Sequence, residues 1–191
     1  KNPITHTSVE TAEMIKYASN SFLALKISYI NEVANLCDSL GADVHEVAKA
    51  MGQDGRISPK FLHPGPGFGG SCFPKDTKAF ASLSKSQGLS MKTVEAAIET
   101  NRLQKSLMVK KMKRLIGGEF SGKQIAILGL TFKPNTDDVR DSASIHMIDK
   151  IKNEGGYIRA YDPIANESMK SIFPDLNCFT SWEDACKDAD G

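Results

Sequence analysis

The stretch GPGFGGSCFPKD, residues 65–76, sets a cysteine, a lysine and an aspartate within a run of four glycines and two prolines. Cys72 stands just ahead of a helix that Pro74 is suited to open. Unpaired backbone N–H groups and partial positive charge there favour a thiolate, and Lys75 adds a cation. A thiolate so placed can attack an electrophilic carbon. The glycines admit a bulky substrate close to the backbone, and loop N–H groups can hold the oxyanion that attack creates. A buried structural cysteine in a turn explains the same residues, and the local physics leaves both readings open.

Gly65, Gly67 and Gly70 also spell GxGxxG, but the dinucleotide fingerprint needs a buried strand before it and a helix opening at its glycines. Here RISPKFLHP precedes and Pro74 delays the helix. The turn ILGLTFKP, residues 127–134, carries one glycine and lacks that fingerprint too. Lys16 and Asn20, four apart, share one face of an otherwise apolar helix, as do Asn31 and Asn35. Each pair reads as a solvated stripe or satisfied core amide, or, for Lys16, as a desolvated general base or alkoxide partner. The histidines His6, His45, His63 and His146 are scattered singly, and Cys37, Cys72, Cys178 and Cys186 show no CxxC spacing. Free thiols and no metal are expected.

Residues 9–40 contain neither Gly nor Pro, and Gly41 follows, so one long helix is predicted. Its apolar residues Phe22, Leu23, Leu25, Ile27, Ile30, Val33 and Leu36 cover most of the circumference, which argues for burial inside a domain or at a subunit interface. Asp43 and Glu46 resemble a capping box for a short helix closed by Gly52. The Gly- and Pro-rich segment from there to Pro74 is too long for a passive connector. Helices are predicted over 74–87 and about 92–116. From Lys123 the pattern changes: QIAILGL and YIRAYDP read as strands flanking a capped amphipathic helix, the start of a parallel βαβ arrangement. DLNCFT and SWEDACKDADG read as a further strand and helix.

The chain has 191 residues, 40% of them hydrophobic and 25% charged, with 24 Lys and Arg against 23 Asp and Glu. That makeup suits a globular protein with one or two cores. The balanced charge disfavours nucleic acid as a partner. No apolar run reaches membrane-spanning length and KNPITHTSVE lacks a signal-peptide core, so a cytoplasmic location and no membrane are expected.

Three segments in order and spacing, AEMIKYASNSFLALKISYINEVANLCDSLGADVHEVAKAMGQDGRI, GPGFGGSCFPKDTKA and IAILGLTFKPNTDDVRDSAS, resemble the UDP-glucose dehydrogenase family, within the nucleotide-sugar dehydrogenases that include GDP-mannose dehydrogenase. The resemblance implies an α central dimerisation domain over 1–116, similar to the C-terminal domain of phosphogluconate dehydrogenase, carrying the catalytic cysteine loop. It implies a truncated α/β Rossmann-like UDP-binding domain over 117–191. The family's N-terminal NAD-binding domain has no counterpart in these residues, and the segment alone is expected to be inactive. It further implies NAD as cofactor, a homodimer through the central helix, and two successive oxidations of a UDP-sugar's primary alcohol through a thiohemiacetal and a thioester.

By this resemblance Cys72 is the nucleophile; Lys16 polarises the reacting oxygen or moves its proton, Asn20 hydrogen-bonds it, and Asp76 orients the hydrolytic water. Arg56 matches an arginine that reaches the sugar bound by the neighbouring subunit, and Phe61 and Leu62 fall where the loop lines the substrate. Gly65, Pro66, Gly67, Phe68 and Gly69 would wrap sugar and diphosphate. Phe132 and Lys133 match further substrate contacts, while Lys75 and Arg140 match positions facing NAD. Ser71 before the cysteine and FPKD after it are similar to the UDP-glucose and GDP-mannose enzymes; the N-acetylated-sugar branch tends to carry histidine before the cysteine. GDP-mannose oxidation, and a dimerising nucleotide-sugar-binding module without chemistry of its own, are the alternatives.

Overall fold

The computed structural model describes residues 3–191. Helix α1 spans Val9–Leu40, as the uninterrupted run predicts. Ser8 opens it by accepting the Thr11 N–H, and Gly41, at φ 70°, closes it by donating its N–H to the Cys37 carbonyl. Helix α2 (Val44–Gly52) starts where the Asp43 carboxylate accepts the His45 N–H at 2.7 Å. Helix α3 (Phe73–Ser86) has Cys72 at its N-cap and proline in its first turn, and α4 runs over Lys92–Leu115. Strand β1 (Gln124–Leu128), α5 (Ala143–Asn153), β2 (Tyr157–Tyr161), α6 (Asn166–Lys170), β3 (Asn177–Cys178) and α7 (Trp182–Cys186) follow. The predicted strands and helices of this half are all present.

The chain divides into two compact units: residues 1–64 with 72–100, and residues 65–71 with 101–191. By compactness the chain parts inside α4. The reason is that Val109, with Met112 and Ile116 against it, belongs to the second unit's core.

In the first unit α1 packs on α3, where Tyr17 stacks on Phe80 at 6.1 Å and 15°. Phe80, Ala81 and Val94 form a small core with Tyr17, Met91 and Ile98 against it. The inward face of α1 is made mostly of small residues, Ser21, Ala24, Ser28, Asn31, Ala34 and Cys37, with Ile30 the one large side chain among them. Ser28 donates to the Ala97 carbonyl at 2.9 Å. Of the two settings expected for the large apolar residues of α1, burial within the domain does not account for Phe22 and Leu36. Phe22 is 62% and Leu36 59% exposed, with Ile15 and Tyr29 at 50% and 51%. These four recur every seven residues, so they lie along one stripe of the helix.

In the second unit β1, β2 and β3 form a parallel sheet in that order, with Gln124 opposite Tyr157 and Arg159 opposite Asn177. Alternation along β1 and β2 buries Ile125, Ile127, Ile158 and Ala160, which pack with Ile148 and Ile151 of α5 and with Phe120 and Met169. At the end of β1 the Asp162 carboxylate accepts the Leu130 N–H at 2.9 Å, and Ser144 donates to the Leu130 carbonyl at 2.7 Å. These bonds hold the backbone where the strand turns away.

Candidate active site

In the first unit Cys72 is exposed, unbridged, and placed at the N-cap of α3. Its carbonyl accepts the Asp76 N–H at 2.8 Å, the first bond of the helix. The next turn therefore brings Asp76 to the inward face of α3, where it is 1% exposed. Asn20 of α1 donates to Asp76 Oδ2 at 2.5 Å, and Lys16 Nζ lies 3.7 Å from the same oxygen. Lys75 Nζ donates to Asp76 Oδ1. The structure thus joins three of the sequence-predicted residues, Lys16, Asn20 and Lys75, around the buried carboxylate of a fourth, Asp76. The K-x-x-x-N spacing explains it: positions four apart on α1 present two donors to one point.

Burial pushes the Asp76 carboxyl up, but hydrogen bonds from Lys75 and Asn20, with the charges of Lys75 and Lys16, outweigh it and hold the group below the ordinary carboxylate range. Lys75 is raised in turn, chiefly by its bond to Asp76, with smaller contributions from the charges of Asp76, Tyr17 and Cys72. Cys72 and Lys75 therefore sit within electrostatic reach of one another. The cluster is a buried anion held by three donors, one turn along α3 from an exposed cysteine.

The loop that precedes the glycines also belongs to this unit. Lys26 of α1 donates to the carbonyls of Ile57 and Ser58 at 2.8 and 3.2 Å, beside Ser58 at φ 66°. Phe61, at φ 63°, meets Phe73 edge-on at 6.0 Å. Leu62 is buried, while Arg56 is exposed and forked onto Asp54, with Nη2 to Oδ2 at 2.6 Å.

In the second unit Pro66, Gly67 and Gly69 line a cavity of about 350 Å³ with Thr131 and Phe132 from the turn after β1 and Met147 of α5. Crevices at the carboxyl ends of parallel strands are where α/β sheets bind ligands. Close packing explains the glycines here. A Cβ on Gly69 would stand 2.2 Å from the Asp141 carbonyl oxygen, and one on Gly70 would stand 2.6 Å from the Phe132 ring. Phe68 is buried, and its N–H and carbonyl are both held by the Asn101 amide, at 2.7 and 3.0 Å. The Gly65 carbonyl accepts from Gln104 at 2.9 Å. Lys133 is exposed with its ammonium 5.4 Å from the Phe132 ring centroid. Arg140 is exposed and forked onto Asp138, which holds that carboxyl down at about 2.

Asn101, Gln104 and Lys105 escape the sequence reading. Their signal was present as polar residues at i, i+3 and i+4 of α4, a spacing that marks a shared face without saying whether it is wet or buried. Among the described residues no group of three or more His, Cys, Asp or Glu is arranged to hold a metal, and no helix is long and apolar enough to cross a membrane.

Comparison with known proteins places these features. UDP-glucose 6-dehydrogenase of Rhizobium meliloti (strain 1021) is 44% identical over 190 residues, covering 100% of this chain and 44% of that protein. UDP-glucose 6-dehydrogenase TuaD of Bacillus subtilis (strain 168) is 47% identical over 189 residues, 98% of this chain and 41% of the relative. The chain thus spans about two fifths of the length of the curated relatives it matches. Among solved structures, a UDP-glucose dehydrogenase from the hyperthermophilic archaeon Pyrobaculum islandicum superposes with a TM-score of 0.91 at 38% identity, over 94% of this chain and 41% of that one. A GDP-mannose dehydrogenase from Pseudomonas aeruginosa reaches a TM-score of 0.60 at 28% identity, over 98% and 45%. Residues 10–103 match the central domain of the UDP-glucose/GDP-mannose dehydrogenase family and residues 126–191 match its UDP binding domain, and the chain belongs to that family.

Proposed function

We propose that this chain supplies the covalent nucleophile and the nucleotide pocket of an enzyme that oxidises UDP-glucose to UDP-glucuronate in two hydride transfers. The observation that carries the reading is the exposed Cys72 at the N-cap of α3, one turn from a buried Asp76 that Lys16, Asn20 and Lys75 all address. The match to UDP-glucose 6-dehydrogenases supports the substrate, and the match to a UDP binding domain supports the nucleotide.

NAD, implied by the family, accepts the hydride in each oxidation when bound. The residues here do not make a dinucleotide site by themselves: Lys75 is committed to Asp76 and Arg140 to Asp138, and the turn after β1 has a single glycine. The steps assigned to this chain are therefore its own. Loss of a hydride from C6 and of the hydroxyl proton yields an aldehyde, whose oxygen Lys16 polarises and Asn20 hydrogen-bonds. The Cys72 thiolate adds to the carbonyl carbon, forming a C–S bond and an oxyanion that takes a proton. Loss of the second hydride, with that proton, re-forms C=O as a thioester. Water oriented by Asp76 then adds, the C–S bond breaks, and thiolate and carboxylate are released as the two protons of that water pass to solvent. In the second unit the cavity beside Phe132 takes the nucleotide, with Lys133 and the glycine-loop backbone at its diphosphate. Without a dinucleotide site the segment alone binds substrate but does not turn it over.

The whole enzyme, given UDP-glucose and NAD, is expected to form two NADH for each UDP-glucuronate, measured by absorbance and by product chromatography, and to leave GDP-mannose unchanged. Oxidation of GDP-mannose alone would transfer the assignment to that substrate. Calorimetric binding of a UDP-sugar with oxidation of neither would leave the binding-module reading.

The stripe Ile15, Phe22, Tyr29 and Leu36 supports a homodimer through α1. Each such side chain stabilises by roughly 1.5–3 kcal/mol when fully buried, and a two-fold axis would bury the stripe against its own copy. Changing Phe22→Asp together with Tyr29→Asp should convert dimers to monomers in sedimentation velocity; dimers that persist would place the interface elsewhere.

A further inference from the structure

Three polar residues on one face of α4 are all more than nine-tenths buried: Asn101 at 7%, Gln104 at 4% and Lys105 at 7% exposed. Buried polar groups, and a buried ammonium above all, persist where their hydrogen bonds are made. Asn101 takes the Phe68 N–H and donates to the Phe68 carbonyl, and Gln104 donates to the Gly65 carbonyl. Lys105 donates to the Asp141 carbonyl at 2.9 Å and to Asp141 Oδ1 at 3.0 Å.

Asp141 is the piece on which the glycine loop rests. It holds a left-handed backbone at φ 51°, and its carbonyl occupies the space that a side chain on Gly69 would need. One residue earlier, the Arg140 carbonyl accepts the Gly70 N–H at 2.7 Å. Lys105 touches the loop from the other side as well, since a Cβ on Gly67 would come within 3.2 Å of its Cγ and 2.9 Å of Asn101 Oδ1. Residues 65–70 are thus gripped between α4 and the turn through Asp141, with Lys105 fastening the two grips together. Pro66, Gly67 and Gly69, the loop residues so held, are the ones that line the cavity.

We propose that Asn101, Gln104 and Lys105 are positioning residues that set nucleotide-sugar affinity by fixing the curve of residues 65–70, without taking part in the chemistry at Cys72. The proposal rests on the nucleotide-sugar reading of that cavity. It is tested in the whole enzyme with Lys105→Met and Gln104→Leu, using UDP as the binding probe and UDP-glucose as substrate. Both variants should weaken UDP binding by calorimetry about tenfold or more and raise KM for UDP-glucose by a similar factor. With kcat held within about threefold, that pattern marks lost uniform binding. Alkylation of Cys72 by iodoacetamide in the absence of nucleotide should keep the wild-type rate and pH profile, and Lys105→Arg should recover most of the affinity. Gln104→Leu preserves volume and the ammonium, so it reads the same constants if Lys105→Met does not fold, as judged by circular dichroism melting. Unchanged UDP affinity in a folded variant, or a fall in kcat with KM unchanged, overturns the proposal while the wild-type enzyme still oxidises UDP-glucose. A wild-type enzyme that neither binds UDP nor oxidises UDP-glucose overturns the reading beneath it.

Discussion

Cys72→Ser in the whole enzyme should reduce uronic acid formation by roughly a thousandfold or more, the scale on which a covalent nucleophile is missed. A serine hydroxyl at the same N-cap keeps the size and polarity of the side chain but ionises far less readily than a thiol near neutral pH. Since Cys72 is exposed and serine is nearly its size, the substitution should leave the melting temperature of the protein nearly unchanged. The loss would then be chemical. Measuring NADH and product together, with mass spectrometry for a sugar-acid adduct on the wild-type cysteine, separates the possibilities. Undiminished turnover in the serine variant would refute the covalent role.

Asp76→Asn should lower turnover by about a hundredfold to ten-thousandfold, the range in which positioned acid–base groups contribute. Its shape is that of aspartate, and Asn20 still finds an amide oxygen, but the charge that holds Lys16 and Lys75 is gone. Both lysines are largely exposed, at 58% and 69% of their side chains, so solvent takes over their charges and the fold survives. If Asp76 orients the attacking water, the thioester should outlive its formation and be trapped as a covalent adduct after one addition of UDP-glucose and NAD. Wild-type turnover with no adduct would remove Asp76 from the mechanism. The sign of the pH effect follows from the depressed carboxyl. Its stabilising contribution is complete above the ordinary aspartate value, roughly 3.9, and is lost as pH falls through its lower folded-state value. Across the neutral range Asp76 remains an anion.

Much of this arrangement was legible in the residues themselves. The ends of α1 follow from chain chemistry alone, because thirty-two positions without Gly or Pro are bounded by Ser8 and Gly41. The strand at Gln124–Leu128 follows from a short β-rich run, and Cys72 at a helix start from Pro74. Lys16 and Asn20 were visible as a spacing, though what they address was not, since Asp76 lies 56 residues beyond Asn20 and only the packing of α3 on α1 joins them. The inward side of α1 is not marked by apolar bulk, because the large residues Phe22 and Leu36 lie on its exposed side. Close approach of helices instead selected Ser21, Ala24 and Ser28. The division of the chain inside α4 was hidden for a related reason: helical periodicity runs on unbroken while the neighbours on either side of it change. The forks of Arg56 on Asp54 and Arg140 on Asp138 arise from loop backbone that no periodicity describes.

The two faces of α1 have separate consequences for how such a protein can change over generations. Its interior is spelled mostly in small residues, and enlarging Ser21, Ala24 or Ser28 would force the neighbouring helices apart. The bulky letters Ile15, Phe22, Tyr29 and Leu36 point away from that interior and can be rewritten without disturbing it. One helix can therefore change its exposed stripe over generations while the face packed on α3 stays as it was.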